Sequence, residues 1–408
     1  MRQIAKLAVL FLIGMTCHVS AQEKREEEKA EFIPLAFGNR WEYKESEFNS
    51  DGKVTSSRMT FEEVKGIFDT MFGRYFYIDA TDYALWVRNT PKGNEDLAVV
   101  MDEETGELKV DGKPGVFFQY PVEKGATYRV DYGTEEIPPS DIKVVELTAK
   151  VKVPAGEFSC LKYESYHVET DQLENVFFVC PGVGLIKMES YDETEQGQLV
   201  MVSELTKYTF KNDILPKPAD PDKSIIPLAL GNTWTYQSEE IQADGTKKLL
   251  EDGDPGEGIK AVFVNEQGAS YYLSGEEFGL WSNSTPRGNE DAIIEINEET
   301  LKLELIDKPT VYYQYPVKKG TKYDLFFGQK LDEAFSTMTV AELDVKITVP
   351  AGTFSCIKYE MREKSTGMLE TVDYVSPGIG LIRNEYYEEG KVAGGSVLAK
   401  YKIHKSNQ

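Results

Sequence analysis

The chain alternates between short apolar runs and turns rich in Gly, Pro, Asn and Asp. Within the runs, apolar and polar residues alternate with a period of two, which is typical of half-buried β-strands. These runs occupy residues 74–79, 97–101, 116–120 and 127–132, with longer ones at 144–153 and 199–210. The segment 61–64 fits a short helix and a strand equally well. The pattern predicts an all-β fold with about ten to twelve antiparallel strands per domain.

Three phrases of the sequence occur twice. Val-Pro-Ala-Gly-Glu-Phe begins at Val153 and returns as Val-Pro-Ala-Gly-Thr-Phe at Val349, 196 residues later, and each copy is followed by Pro-Gly-x-Gly-Leu-Ile. An opening phrase returns from Pro34 to Pro227, 193 residues later. Because this separation changes by only three residues along a whole domain, we predict two copies of one β domain in tandem, and not a short-period solenoid.

The predicted organisation follows from these copies. The predicted segments are a signal peptide at 1–21, a charged tail at 22–31, a first β domain at 32–210, a proline-rich linker at 211–224, a second β domain at 225–403 and a tail at 404–408. Each domain is predicted to be an open barrel, a strongly curved sheet or a sandwich. The linker prolines restrict φ and favour an extended spacer.

The N-terminal residues have the features of a signal peptide. Arg2 and Lys6 supply a positive start, residues 7–16 are apolar, and small residues precede Ala21. The apolar run is too short to span a bilayer. Lipidation of Cys17 is disfavoured because the preceding residues lack the usual Leu-small-small run. We therefore expect a periplasmic or secreted protein without a membrane span.

The charge excludes some classes of partner. The chain has 69 acidic and 45 basic residues, a net charge of −24. This excess of negative charge disfavours binding to nucleic acid and to anionic membrane surfaces.

Histidine is scarce. Beyond the predicted signal peptide the chain has only His167 and His404, and neither recurs in the other copy. Zinc sites and Ser/His or Cys/His nucleophiles depend on imidazole. We therefore predict no catalytic residue, no metal and no cofactor, although a pair of carboxylates could still support hydrolysis.

All four tryptophans recur at matched positions in the two copies. They are Trp41, Trp86, Trp234 and Trp281. The favoured interpretation is core packing, and the alternative is an aromatic platform that binds a ligand.

A polar sequence follows the Thr-Pro turn of each copy. Its residues are Asn94, Glu95, Asp96, Asn289, Glu290 and Asp291. Clustered oxygen ligands suit Ca²⁺, but the spacing is not that of a known calcium loop. A solvated polar loop is the favoured interpretation.

The cysteines differ between the copies. Cys160 and Cys180 are equally distant from a predicted hairpin tip near residue 170, whereas the second copy has Cys356 and, in place of the other thiol, Ser376. In an oxidising compartment, we predict a cross-strand disulfide between Cys160 and Cys180. The alternative is two buried free thiols.

The repeated phrases resemble a bacterial exported family of unknown function. The resemblance is carried by Gly-Asn-x-Trp-x-Tyr and Pro-Gly-x-Gly-Leu-Ile in each half and by Val-Pro-Ala-Gly-Thr-Phe in the second half, where the first half has Glu157 in place of the Thr. It implies an exported, antiparallel, curved β-sheet domain without assigned catalysis. Similar families are related to the half-barrels of lipoprotein carriers, which hold acyl chains, an analogy at the level of fold.

These features favour a non-catalytic binding or scaffolding protein that holds an apolar small molecule or a partner segment against a concave β face. Two alternatives stay open. One is an envelope-structural interaction protein with solid cores, and the other is a carboxylate-dependent hydrolase.

Overall fold

The fold was analysed in a computed structural model of the chain. It describes residues 31–101, 108–134, 137–192, 197–211, 220, 223–242, 246–250, 257–274, 280–297, 299–306, 308–326 and 334–404. The predicted signal peptide, nearly all of the charged tail and most of the predicted linker lie outside the described residues.

The described residues of the first half, up to residue 211, form twelve strands. They are β1 (Arg40–Phe48), β2 (Val54–Thr70), β3 (Gly73–Ala80), β4 (Ala84–Thr90), β5 (Gly93–Met101), β6 (Leu108–Gln119), β7 (Thr127–Val130), β8 (Ser140–Val153), β9 (Gly156–His167), β10 (Leu173–Cys180), β11 (Gly184–Tyr191) and β12 (Leu199–Thr209). The segment 61–64, which the sequence left ambiguous, belongs to β2.

The described residues of the second half, from residue 223, form fourteen strands. They are β13 (Thr233–Ile241), β14 (Lys247–Leu249), β15 (Glu257–Val264), β16 (Ser270–Ser274), β17 (Leu280–Thr285), β18 (Gly288–Ile296), β19 (Leu303–Leu305), β20 (Thr310–Gln314), β21 (Lys322–Leu325), β22 (Ser336–Val349), β23 (Gly352–Glu363), β24 (Leu369–Ser376), β25 (Gly380–Glu388) and β26 (Lys391–Lys402).

The strands pair antiparallel in an open order. In the first half this order is β7-β8-β9-β10-β11-β12-β1-β2-β3-β4-β5-β6. The second half has the corresponding order β21-β22-β23-β24-β25-β26-β13-β15-β16-β17-β18-β20, with β14 beside β13 and β19 beside β18. The predicted all-β, antiparallel fold is confirmed, and its sheet is not closed into a barrel.

The repeated Val-Pro-Ala-Gly phrase forms the turn between two long strands. In the first half Val153 of β8 pairs with Gly156 of β9, and Pro154 and Ala155 lie between them. The Ala155 amide donates to the Leu205 carbonyl of β12 at 3.0 Å. The hairpin tip therefore reaches β12, which is three strands away in the sheet order, so the sheet must curve back on itself.

The Pro-Gly-x-Gly phrase makes room for a tryptophan. Gly184 has a φ of +105°, and a Cβ there would lie 3.3 Å from the Trp41 indole nitrogen. That nitrogen donates to the Val183 carbonyl at 2.6 Å. In the second half Trp234 donates to the Ile379 carbonyl at 2.7 Å. A side chain at Gly184 would crowd the indole and strain the backbone.

The two halves meet where β2 pairs with β15. Ile67 pairs with Val262, and the flanking pairs are Gly66 with Phe263 and Phe68 with Ala261. Corresponding segments of the two halves therefore pair with each other about a local two-fold centre, as in an isologous dimer interface.

An aromatic core next to this junction is formed by residues of both halves. Trp86 and Trp281 are each 1% exposed and belong to the same cluster. The Phe68 ring contacts both indoles, with centroid distances of 6.1 and 6.0 Å. Four further hydrophobic clusters are present, two centred in each half. One of the two clusters of the second half, which contains Trp234, also includes Ile67 and Phe76 of the first half.

Candidate functional site

A cavity of about 270 Å³ lies inside the curved sheet of the first half. Strands β1 to β6, β10 and β11 contribute to its wall. The lining residues are Ile33, Trp41, Tyr43, Glu62, Ile78, Tyr83, Leu85, Val87, Asn94, Asp96, Phe117, Phe118, Phe177, Gly184, Leu185 and Met188. For comparison, an engineered apolar cavity of about 150 Å³ is large enough to bind benzene.

The wall of this cavity is mainly apolar and aromatic. Six of the lining residues carry aromatic rings. The Phe118 and Phe177 rings contact edge to face, with a centroid distance of 5.3 Å. The remaining polar groups are few, which is typical of small-molecule sites that use one or two polar contacts for orientation.

Glu62 is the first of two carboxyl groups in the wall. Its carboxylate accepts hydrogen bonds from the Tyr83 hydroxyl at 2.5 Å and from the Tyr43 hydroxyl at 3.5 Å. Burial raises the pKa of Glu62, and the two tyrosine hydroxyls oppose that rise. Among the described residues no Lys, Arg or His forms an ion pair with Glu62.

Asp96 is the second carboxyl group. Its Oδ2 atom accepts a hydrogen bond from the Tyr132 hydroxyl at 2.7 Å, whereas its buried Oδ1 atom has no hydrogen-bond partner among the described residues. Burial raises the pKa of Asp96 to about 7, although the Tyr132 hydrogen bond opposes the rise. The carboxyl group is therefore close to half protonated at neutral pH.

The second half has a smaller cavity of about 150 Å³ in the corresponding place. Ser274 and Ser282 line it where Ile78 and Val87 line the first cavity. Tyr313, which also lines it, donates to Asp373 at 2.8 Å.

Polar residues of the second half replace several apolar residues of the first. Asp373 occupies the position of Phe177 in the repeat, and Asn384 that of Met188. Asn384 donates to the other carboxylate oxygen of Asp373 at 2.5 Å. A closed hydrogen-bond network therefore occupies the region where the first half presents apolar side chains.

The four tryptophans occupy two different environments. Trp41 lines the first cavity and Trp234 the second. Trp86 and Trp281 lie in the aromatic core shared by the halves and line neither cavity.

The predicted polar loops lie in strands instead of exposed turns. The turn ends at Gly93 and Gly288, and the polar residues follow within β5 and β18. Asn94 and Asp96 face the first cavity, whereas Glu95 accepts from the Tyr75 hydroxyl and is ion-paired with Arg88 at 2.6 Å. The alternation of the strand therefore separates the three residues onto opposite faces, which is unsuitable for a shared ion site.

The equivalent residues of the second half bond mainly to other residues of the protein, although the buried Oδ1 atom of Asn289 has no hydrogen-bond partner among the described residues. Asp291 accepts from Ser282 at 2.6 Å and from the Asn289 side chain at 2.9 Å. Glu290 is ion-paired with Arg287 at 2.6 Å. Burial raises the pKa of Asp291 to about 6.

The predicted disulfide between Cys160 and Cys180 is absent from the structure, where both residues are free thiols. Their strands are adjacent, and Leu161 pairs with Val179 at the neighbouring position. The interaction between the two neighbouring thiols lowers the pKa of Cys180 to about 7 and raises the pKa of Cys160. The Cys180 thiol donates to the Pro181 carbonyl at 3.8 Å. Cys356 is a buried free thiol.

Among the described residues, no group of three or more His, Cys, Asp or Glu side chains is arranged to hold a metal ion. The same residues include no helix with the length and apolar character needed to cross a bilayer.

The family model described as DUF3108-like matches residues 339–398. This range runs from β22 to β26 and contains the second copies of the Val-Pro-Ala-Gly and Pro-Gly-x-Gly phrases. No curated protein matches the chain.

Two solved structures are similar to part of the chain. One is a protein of Bacteroides fragilis described as exported and as having a YmcC-like fold, with 16% identity and a TM-score of 0.26, covering 45% of this chain and 100% of that chain. The other is described as a lipoprotein of Parabacteroides distasonis, with 15% identity and a TM-score of 0.23 over the same shares of the two chains. TM-scores this low do not establish a common fold.

Sequence reasoning missed most of the cavity wall. The sequence does not identify four residues of the wall as lining a cavity, because a single residue in an amphipathic strand has no local feature that indicates one. These residues are Glu62, Tyr83, Phe177 and Met188. Alignment of the two copies contains a usable signal at two of these positions, since the apolar Phe177 and Met188 of the first copy match the polar Asp373 and Asn384 of the second.

Proposed function

We propose that this chain is an exported, non-catalytic binding protein whose first half holds an apolar small molecule. The observation that carries the proposal is the 270 Å³ cavity with six aromatic residues in its wall. A concave, mostly apolar cavity with few polar groups is the usual form of a small-molecule site.

The contrast between the halves supports this assignment. Both halves keep the tryptophan and the glycine that shape the cavity, but the second cavity is smaller and partly polar. Binding in the first half is therefore expected to depend on the apolar side chains that the second half lacks.

We further propose that the halves are two copies of one domain, with boundaries at 32–210 and 225–403, joined through a short linker. The repeated phrases, the corresponding strand orders and the matched hydrogen bonds of Trp41 and Trp234 support this division. The proposed export rests on the signal-peptide features of residues 1–21.

Filling the first cavity tests the proposed function. Val87 lines the first cavity and Ser282 the second, so Val87→Phe and Ser282→Phe form a matched pair. Each variant of the chain from Gln22 is titrated with the neutral apolar fluorophore N-phenyl-1-naphthylamine. We expect saturable binding to the unchanged protein, loss of binding in Val87→Phe and retained binding in Ser282→Phe.

Overpacking costs about 1–3 kcal/mol in either variant, so circular dichroism must first establish that both are folded. Equal binding by both variants, or no saturable binding by the unchanged protein, contradicts a ligand site in the first cavity.

A further inference from the structure

Among the residues that the structure describes, neither carboxyl group of the first cavity has a cationic partner. Glu62 accepts hydrogen bonds from two tyrosine hydroxyls. The buried Oδ1 atom of Asp96 has no hydrogen-bond partner within the described residues. The lining set contains no Lys, Arg or His. Buried carboxylates ordinarily pair with a cation or with several donors, because loss of water destabilises an uncompensated charge.

A glutamate with a cationic partner lies next to Glu62 in the same strand. The neighbouring residue Glu63 projects to the opposite face of β2 and is ion-paired with Arg40 at 2.7 Å. Within the described part of the chain, the outer glutamate of this adjacent pair therefore has a cationic partner, and the glutamate in the cavity has none.

Aromatic rings surround the unpaired carboxyl group. Tyr43, Tyr83 and Trp41 line the same cavity as Glu62. Tyr83 is 42% exposed, so this part of the wall lies near solvent, and apolar residues such as Phe177 line the rest. The faces of aromatic rings attract organic cations, and such rings with a carboxylate are suited to an ammonium group.

We infer that the ligand of the first cavity is an organic ammonium amphiphile, with its cationic nitrogen against Glu62 between Tyr43 and Tyr83 and its apolar part against the phenylalanine wall. This inference rests on the proposed function of the cavity. The negative charge of the whole chain favours the approach of a cation and disfavours an anionic ligand such as a fatty acid.

The direct test compares three ligands with the same chain length. Octylammonium, octanol and octanoate are titrated against the full chain from Gln22, by displacement of N-phenyl-1-naphthylamine at about pH 8, where ionised carboxyl groups predominate over protonated ones. We expect octylammonium to bind about tenfold more tightly than octanol, because it adds a charge-assisted contact, and octanoate to bind most weakly.

Two variants locate the contact. Glu62→Gln keeps the shape of the side chain and its hydrogen-bond acceptor but removes the charge, and it should abolish the preference for octylammonium over octanol. Glu63→Gln removes the neighbouring charge on the opposite face and should retain the preference.

The outcomes separate the two proposals. If the fluorophore binds but octylammonium and octanol bind equally, or octanoate binds best, the ammonium inference is wrong and the apolar site stands. If Glu62→Gln keeps the preference, Glu62 is not the contact and the inference also fails. If neither the fluorophore nor any of the three ligands binds, the proposed function itself is contradicted. The ligand ranking for the unchanged protein decides the ligand class even if Glu62→Gln does not fold.

Discussion

Aspartates at matched positions of the two halves have different partners. Asp291 accepts from two side chains, Ser282 and Asn289, whereas Asp96 accepts from Tyr132 and leaves Oδ1 without a partner among the described residues. An unsatisfied buried oxygen destabilises a folded protein. The first half therefore retains an unfavourable group in the wall of its cavity, where a ligand contact or a proton could compensate for it.

The pKa of Asp96 predicts a pH-dependent effect of Asp96→Asn. The folded protein holds this proton up to about pH 7, whereas the ordinary pKa is 3.8. Between these values the folded state binds more protons than the unfolded state, so this group's contribution to the free energy of unfolding falls as pH rises and is constant above pH 7. Between about pH 5 and pH 8 the contribution of this group falls by about 2–3 kcal/mol, so the change in the free energy of unfolding caused by Asp96→Asn should be more favourable at pH 8 than at pH 5 by that amount.

Urea unfolding between about pH 5 and pH 8 measures this difference. Asp141→Asn is the control, because its hydrogen-bonded ion pair with Arg129 lowers the pKa of the Asp141 carboxyl below the ordinary value of 3.8. Its folded and unfolded pKa values both lie below this window, so its effect should be independent of pH there. An Asp96→Asn effect that is independent of pH would contradict the assignment.

At the scale of elements, β2 pairs with strands of its own half and also with a strand of the other half. Its first part pairs with β1, its last part pairs with β3, and residues 66–68 also pair with β15 of the other half. Gly66 lies in this crowded segment. A Cβ there would lie 3.0 Å from the Tyr77 Cβ and 3.1 Å from the Val262 carbonyl oxygen. A side chain at this position would therefore require neighbouring atoms of both halves to shift.

Gly66→Val should therefore destabilise the junction of β2 and β15. We expect a loss of about 1–3 kcal/mol in the free energy of unfolding, the usual cost of overpacking. Thr55→Val is the control in the same strand, because Thr55 is exposed and far from the junction. Chemical denaturation of both variants provides the measurement, and equal stabilities would show that the junction tolerates a side chain.

At the scale of the whole molecule, the halves share both a sheet and a core. The β2–β15 ladder is supported by the Tyr77 hydroxyl, which accepts from the Leu303 amide at 3.0 Å, and by an ion pair between Asp79 and Lys302 at 3.0 Å. Trp86 and Trp281 are buried in the common cluster. Because separation of the halves would expose this aromatic core, each half depends on the other for part of its stability.

This dependence predicts a single unfolding transition for both halves. Cys160 lies in the first half and Cys356 in the second, and both thiols are buried. Pulsed labelling of thiols across a denaturant series, read out by peptide mass spectrometry, should show both becoming reactive at the same denaturant concentration. Two separate midpoints would mean that the shared core contributes little coupling between the halves. Exposed Cys variants at the loop positions Asp51 and Gly268 control for the intrinsic labelling rate.

Much of the fold was predictable because its signals are local. Strands with a period of two, turns such as Val-Pro-Ala-Gly and the repeated phrases are all read from neighbouring residues. The disulfide prediction between Cys160 and Cys180 was wrong in this structure, because a symmetric hairpin specifies which strands are adjacent but not the bonding state of the thiols. The polar residues after Thr90 were expected in a loop, although they continue directly into β5.

The strand periodicity, the repeated phrases and the positions of the turns could be read from the sequence alone, since strand and turn signals depend on the conformational preferences of residues close together in the chain. The order of the strands was decided by the tertiary structure, because pairs such as β1 with β12 join segments far apart in the chain. The tertiary structure decided which half has the larger apolar cavity, that Glu62 faces it without a cation from the described residues, and that β2 joins β15. These properties depend on side chains that are distant in sequence and meet only when the sheet curves, and on how much volume they leave unfilled.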